Sequence, residues 1–269
     1  MTSASAIARR YADPDEVLTT WNEVLAIQLA HRSVRRFTGR EVTDDELTAL
    51  VAAAQSAPTS SNLQPWSVVA VRDPERKRRL AAFAGNQGFI EQAGLFLVWV
   101  ADLGRARRLG ERAGATLAAT DYLETTLIGF VDTALAAQNA VVAAESLGLG
   151  TVFVGAIRNR PAEVAAELRL PDHTVAAFGL AVGGPDPAEH AGIKPRLPRT
   201  AVLHHETYDA ATADAHVEAY DERLAAYNTE HRMRGTWSER VLARLAGPES
   251  MAGRHTLRRT LETRGLPSR

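Results

Sequence analysis

The chain of 269 residues contains no cysteine. That absence excludes disulfide bonds, thiolate nucleophiles and zinc–sulfur centres, and it suits a reducing compartment. Lysine is nearly missing too: Lys77 and Lys194 are the only two beside abundant arginine. So skewed a choice of cation makes each remaining lysine a position to explain. Net charge is −1 at pH 7, so nothing draws the whole chain to nucleic acid or an anionic membrane, and any cationic site has to be local. Uninterrupted apolar runs of membrane-spanning length are lacking. The most apolar long stretch, Val131–Gly150, is broken by Asp132, Gln138, Asn139 and Glu145, which predicts a buried helix and no membrane span. Met1–Ala12 has no apolar segment of the kind a secretory signal requires, so the expected location is the cytoplasm.

Several catalytic signatures are also missing. No HExxH pattern accompanies the histidines, and the adjacent His204 and His205 would point apart on a strand, so no metal site is expected. There is no Walker A sequence. Gly148-Leu149-Gly150 lacks the third glycine of a dinucleotide fingerprint and runs from helix to strand, the wrong way round. Ser33, Ser60 and Ser61 stand in no nucleophile elbow.

What the chain does have is a compact cationic stretch, His31-Arg32-Ser33-Val34-Arg35-Arg36-Phe37. Charges this close repel one another unless an anion holds them together, and guanidinium forks with a short hydroxyl suit a phosphate. The alternative is a solvated helix end whose dipole favours cations in any case. A second polar segment, Ala57–Trp66, is dense in hydroxyls and amides and bounded by Pro58 and Pro65. Its Asn62 and Gln64 offer paired donors and acceptors suited to a heterocycle edge, or to ordinary turn chemistry. A third, Gly192–Pro198, is a proline-stiffened loop carrying Lys194 and Arg196, which converge only if the chain bends at Pro195; otherwise they are a surface charge pair.

Between these segments the pattern alternates helices and strands. Leu18, Trp21, Leu25 and Leu29 predict a helix from about Asp15 to Ala30, after a loose arm over residues 1–14. Thr43-Asp44-Asp45-Glu46 is a capping box that opens a second helix, ending before Pro58. Strands are expected at Ser67–Val71, Leu95–Ala101, Thr151–Val154 and Thr174–Val182, with Leu95–Ala101 central and buried on both faces. Helices are expected after Asp73, over Thr126–Leu147 and Pro161–Leu168, and in the tail over His216–Tyr227, Thr236–Leu245 and Thr256–Arg264. Gly104–Thr126 reads as a helical, mobile insertion. Residues 15–204 would form the core, and 205–269 a helical extension wrapped over a partner.

These motifs, in this order, resemble the flavin-dependent nitroreductase family. The likeness rests on His31–Phe37, on Asn62-Leu63-Gln64-Pro65-Trp66, on Val131-Asp132-Thr133-Ala134 through Gly150, and on Lys194-Pro195-Arg196-Leu197-Pro198. It covers roughly residues 25–245 and points to the NADPH-dependent branch of oxygen-insensitive nitroreductases and flavin reductases. The resemblance implies an α+β fold with a central mixed, mostly antiparallel sheet flanked by helices, in an intertwined homodimer with a long central interface helix. It implies FMN as cofactor and NADPH or NADH as electron donor. His31, Arg32, Ser33 and Arg35 would hold the phosphate and ribityl chain, and Lys194 and Arg196 would complete the phosphate or flavin-edge site. Thr59, Ser61 and Gln64 would line the flavin from the partner subunit with Asn62 nearby, Gln87 would add a contact, and Val154, Gly155 and Ala156 would lie against the ring.

Two positions depart from the family pattern: Thr59 stands where serine is usual, and Ala156 where a second glycine is frequent. The loop His231–Arg234, whose Arg232 and Arg234 are the candidates for the NADPH phosphate, looks shorter than its counterpart. The implied activity is ping-pong, two-electron reduction of nitroaromatics, quinones or similar small acceptors, with no side-chain acid or base assigned. Reduction of free FMN and a non-enzymatic flavin-binding regulator are the alternatives.

Overall fold

The computed structural model describes residues 3–13 and 16–269. The chain divides into two compact units, a smaller one of residues up to Arg32 with His190–Ser250, and a larger one of Ser33–Glu189 with Met251–Arg269. In chain order the smaller unit begins with helices α1 (Ser3–Tyr11) and α2 (Glu23–Ala30). The larger unit follows with α3 (Asp44–Gln55), β1 (Trp66–Val71), α4 (Pro74–Phe83), α5 (Phe89–Gln92), β2 (Leu95–Asp102) and α6 (Gly104–Ala113). It continues with α7 (Leu123–Ser146), β3 (Gly150–Val154), α8 (Pro161–Glu167) and β4 (Thr174–Gly183). The smaller unit resumes with α9 (Ala210–Asp214), α10 (Val217–Glu230) and α11 (Trp237–Leu245), and α12 (Leu257–Thr263) belongs again to the larger.

The larger unit is built on a four-stranded sheet of order β1-β2-β4-β3 in which every pair is antiparallel. Among the described residues the parallel element of the expected mixed sheet is a single bridge between Ser33 and Thr151. β2 is buried along its whole length, as its unbroken apolar run requires. Alternation along it sorts the core into two layers: Leu95, Leu97 and Trp99 pack with α3 and α7, whereas Phe96 and Val98 pack with α4 and α8. Ala136, Ala137, Ala140 and Ala144 bring α7 close to its neighbours. Gly179 on β4 is imposed by packing, since a Cβ there would lie 2.3 Å from Cζ of Phe96.

Helix α7 is long and apolar enough to cross a bilayer. Its buried side, which includes Thr126, Asp132, Thr133 and Ala136, is packed into the core of the larger unit. Its other side exposes Leu123, Leu127, Val131 and Leu135, one helical stripe at four-residue spacing.

Local signals place the elements well. Thr43 and Glu46 make both bonds of the capping box, Asp73 caps α4, and Thr236 with Glu239 caps α11. Three expectations are corrected. The residues read as a loose arm include α1, whose Ala6, Ile7 and Arg10 are buried. The first amphipathic helix starts at Glu23 because the Asn22 side chain accepts from Leu25 N–H and caps it there; its expected start, Asp15, lies outside the described residues. Gly104–Thr126 is no continuous helix: α6 ends at Gly114, which adopts φ +63. The end of the tail packs onto its own larger unit, where Leu266 is 1% exposed and Arg264 donates to the carbonyls of Thr174 and Leu170.

Arg76 and Arg79 of α4 clasp Glu167 of α8 at 2.9 and 2.8 Å. Hydrogen bonds from Arg79, and then Arg76, hold the Glu167 carboxyl down from 4.5 to about 2, against the opposing effect of burial. A depressed carboxyl stabilises the fold above its ordinary range, and that stability is lost as pH falls towards 2. Both arginines are more than 40% exposed, so solvent screening leaves about 1 kcal/mol, or about 3 °C in melting temperature. Glu167→Gln should lower the melting temperature by that much at pH 7. The gap should close between pH 4.5 and 2 in melts followed by circular dichroism; a constant gap would rule out the ion pair as its source.

Candidate active site

The boundary between the units falls inside the cationic stretch, with His31 and Arg32 closing one segment and Ser33 to Arg36 opening the other. Within the smaller unit, His31 and Arg32 are brought beside the Lys194–Arg196 loop by a residue the sequence reading passed over. Arg10, 6% exposed, donates to Leu29 O (2.9 Å), His31 O (2.5 Å) and Lys194 O (3.1 Å), and its own carbonyl accepts from Arg196 N–H at 3.0 Å. The loop is held from the other side by α10: Tyr220 donates its hydroxyl to Pro195 O at 2.9 Å and Tyr227 to Gly192 O at 3.0 Å. Burial pushes both phenols above their ordinary pKa, so they remain donors at neutral pH.

A cavity of about 810 Å³ lies in this unit, with Arg9, Arg32, Arg223, Tyr227 and His231 in its wall. The Lys194 ammonium sits 5.9 Å from the centre of the Tyr227 ring. Arg196 is exposed and bends back to Lys194 O at 3.0 Å. Arg232 and Arg234 are exposed on the turn after α10, and Arg232 has φ +57.

In the larger unit the remaining members of the stretch separate by partner. Arg36 is paired with Asp186 at 2.6 Å, whereas Arg35 is exposed and its backbone N–H donates to Glu189 Oε1 at 2.7 Å. Ser33 bridges Thr151 and Val34 N–H donates to Thr151 O at 2.9 Å, so the stretch runs beside β3. β3 ends at Val154, followed by Gly155 and Ala156. A Cβ on Gly155 would meet nothing nearer than Arg158 Nη2 at 3.5 Å, and its φ lies outside the left-handed region. Neither the chain's own packing nor its backbone demands glycine there, and the missing side chain leaves that stretch of backbone open to close approach. Ala156 keeps its extra methyl packed against the core, so the departure from glycine is accommodated. Gln87 lies in the turn after α4, and a Cβ on Gly85 of that turn would be 3.6 Å from Asn159 Nδ2, in the segment that follows Ala156.

The amide-rich loop is built around Asp132 of α7, a carboxylate only 3% exposed. Its Oδ2 accepts from the Thr59 hydroxyl at 2.5 Å and from Ser60 N–H at 3.1 Å. The Thr59 oxygen then accepts from Gln64 N–H at 2.9 Å, and Gln64 Nε2 donates to Asn62 Oδ1 at 3.1 Å. A hydroxyl is all this network uses, so threonine serves where serine is usual. Ser61, Asn62 and Gln64 all adopt left-handed backbone, φ +48, +55 and +49. Three such residues in one short loop are strained, and strain of this kind gathers at ligand-binding sites. Arg105 of α6 clamps the loop by donating to Gln64 O at 2.9 Å, so the segment read as an insertion supports the site.

Asp132, Arg105 and Arg10 are the functional residues that sequence reasoning missed. An acid in the middle of a long apolar helix was the signal available for Asp132; the two arginines gave none, because their partners lie far away in sequence.

The profile of the Nitroreductase family matches residues 29–184, and that of the Nitroreductase family, C-terminal domain, matches residues 194–269. The chain belongs to the nitroreductase family. This nitroreductase is 42% identical to an FMN reductase (NADPH) of Bacillus subtilis, over 82% of this chain and 90% of that one. It is 40% identical to an oxygen-insensitive NADPH nitroreductase of Salmonella typhimurium, over 78% and 86%. Among solved structures, NfrA2 of B. megaterium superposes with a TM-score of 0.86 at 38% identity, covering 91% of this chain and 98% of that one. The fold is therefore the nitroreductase fold, as the motifs imply.

Proposed function

We propose that this nitroreductase is an FMN-dependent NADPH oxidoreductase that reduces small planar acceptors, nitroaromatics or quinones, by two electrons. The observation that carries the reading is the gathering of His31 and Arg32 with Lys194 and Arg196 in one unit, from segments far apart in the chain. The donor set fits the cofactor. Cations suit its phosphate, the amides of Asn62, Gln64 and Gln87 suit a ring rich in N–H and C=O, and Gly155 leaves room for a flat face.

FMN would supply the electron-transfer chemistry, taking two electrons from NADPH and passing them to the acceptor. The chain's part is to bind and orient. His31, Arg32, Ser33 and Arg35 would hold the phosphate and ribityl chain, Lys194 and Arg196 would complete the phosphate or flavin-edge site, and cationic or N–H groups beside the ring would favour the more anionic, reduced form. Val154, Gly155 and Ala156 support the ring, and Arg232 and Arg234 serve as candidates for the donor's phosphate. No side-chain acid or base is assigned.

Thr59–Gln64 acts on the site of a second copy. Within one chain this loop leads into β1 while Gly155 follows β3, and these are opposite edges of the sheet, three strand spacings or about 14 Å apart. The exposed apolar stripe of α7 supports a homodimer of this kind. A free flavin as acceptor is the second reading, favoured by the name of the Bacillus subtilis relative.

The test is spectroscopic. Purified protein loaded with FMN should show protein-bound flavin bands that bleach with NADPH under anaerobic conditions and return with a nitroaromatic or quinone. It should also elute at the mass of two chains. Protein that takes up no FMN would end this reading, and return with free FMN alone would favour the second.

A further inference from the structure

We propose that Arg10, on the N-terminal helix, is a positioning residue for the phosphate end of the cofactor site; the inference rests on the FMN reading above. Arg10 lies outside the stretches matched by the family profiles, which begin at residue 29. It nevertheless joins the two cationic segments of the smaller unit. One buried guanidinium holds the carbonyls of His31 and Lys194 together, through Nη2 at 2.5 Å and Nη1 at 3.1 Å, and anchors the end of α2 through Leu29 O. Its own carbonyl accepts from Arg196 N–H at 3.0 Å. Four ties thus converge on one residue, and each leads to a segment carrying a phosphate-binding candidate.

The chemistry explains why arginine stands there. Only a planar fork with several donors reaches three carbonyls on two chain segments at once; an ammonium is a point charge and cannot span them. His31–Arg32 and Lys194–Arg196 carry like charges and repel each other without a ligand. A neutral apolar side chain at position 10 would remove the tie between His31 O and Lys194 O; Arg196 would still reach Lys194 O and the residue-10 carbonyl, so the segments would be held more loosely. Arg10 therefore pre-orders a grip that would otherwise have to assemble around each incoming phosphate, and pre-ordering appears as affinity.

The experiment compares FMN with riboflavin, which carries the same ring without the phosphate. Titrations of apoprotein, read by quenching of flavin fluorescence, would be made on wild type, Arg10→Met and Arg10→Lys, with circular dichroism to confirm folding. Expected is a loss of FMN affinity on the order of ten- to a hundred-fold in Arg10→Met, and a smaller loss in Arg10→Lys, with riboflavin affinity falling far less than FMN affinity in both. Equal weakening of FMN and riboflavin would show general loosening and overturn the inference, as would wild-type FMN affinity in either variant. If Arg10→Met does not fold, Arg10→Lys alone decides by the same criterion. If wild type itself fails to bind FMN, the proposed function fails and the inference falls with it, a result distinct from the others.

Discussion

A chain carrying Arg32→Met together with Lys194→Met is expected to bind FMN on the order of a thousand-fold more weakly than wild type. Each substitution removes a charge-assisted contact to phosphate worth about 1.5–3 kcal/mol, and about 1.4 kcal/mol is a factor of ten. Methionine keeps the length and apolar bulk of both side chains, so packing around Arg32 in the cavity wall and Lys194 beside Tyr227 changes little. Because the missing term is electrostatic, wild-type affinity should fall with added salt while that of the double variant should respond far less. Fluorescence titration at two ionic strengths checks both statements. Riboflavin, which keeps the ribityl chain but lacks the phosphate, should lose far less affinity than FMN. FMN affinity within about threefold of wild type, less than one charged contact is worth, would remove these two cations from the phosphate site.

Asp132→Leu is expected to be the most damaging single substitution. It strips the acceptor from the Thr59 hydroxyl and Ser60 N–H in a buried setting, at a cost of about 3 kcal/mol or about 8 °C in melting temperature. The loop depends on that acceptor more than an ordinary loop would. Its left-handed residues at 61, 62 and 64 are held in place by the chain of bonds from Asp132 through Thr59 to Gln64. With the anchor gone, the amides of Asn62 and Gln64 lose their orientation and FMN binding should fall as well. Asp132→Asn is the discriminating control. One oxygen, Oδ2, accepts both bonds, so a correctly turned amide oxygen preserves the geometry, and the loss should be only about 1 kcal/mol for the missing charge. Melting curves and FMN titrations of the two variants check this, and an Asp132→Leu protein that melts with wild type would refute the anchoring role.

Much of the fold was legible because its determinants are local. The capping box at Thr43, the caps at Asp73 and Thr236 and the unbroken apolar run of β2 each depend on neighbours within a few residues. Helix α1 was not legible: nine residues with Ala6 and Ile7 as buried apolar side chains are too short a stretch to establish a period. The site residues named from the family motifs could be assigned roles from the sequence, but not neighbours. Arg35 and Arg36 look equivalent in the chain, yet Arg36 pairs with Asp186 while Arg35 does not share that partner. That distinction depends on a residue some 150 positions away.

The amino-acid sequence by itself determined the four strands and most of the helices, the family, and the residue types available to grip a phosphate, because periodicity, caps and motif order are properties of short stretches. Tertiary structure alone decided which cations stand together, that a buried aspartate shapes the amide loop, and that an N-terminal arginine ties two distant segments. The physical reason is that a guanidinium or carboxylate is satisfied by whatever carbonyls and donors the folded chain brings within 3 Å of it, and no local pattern encodes which those will be.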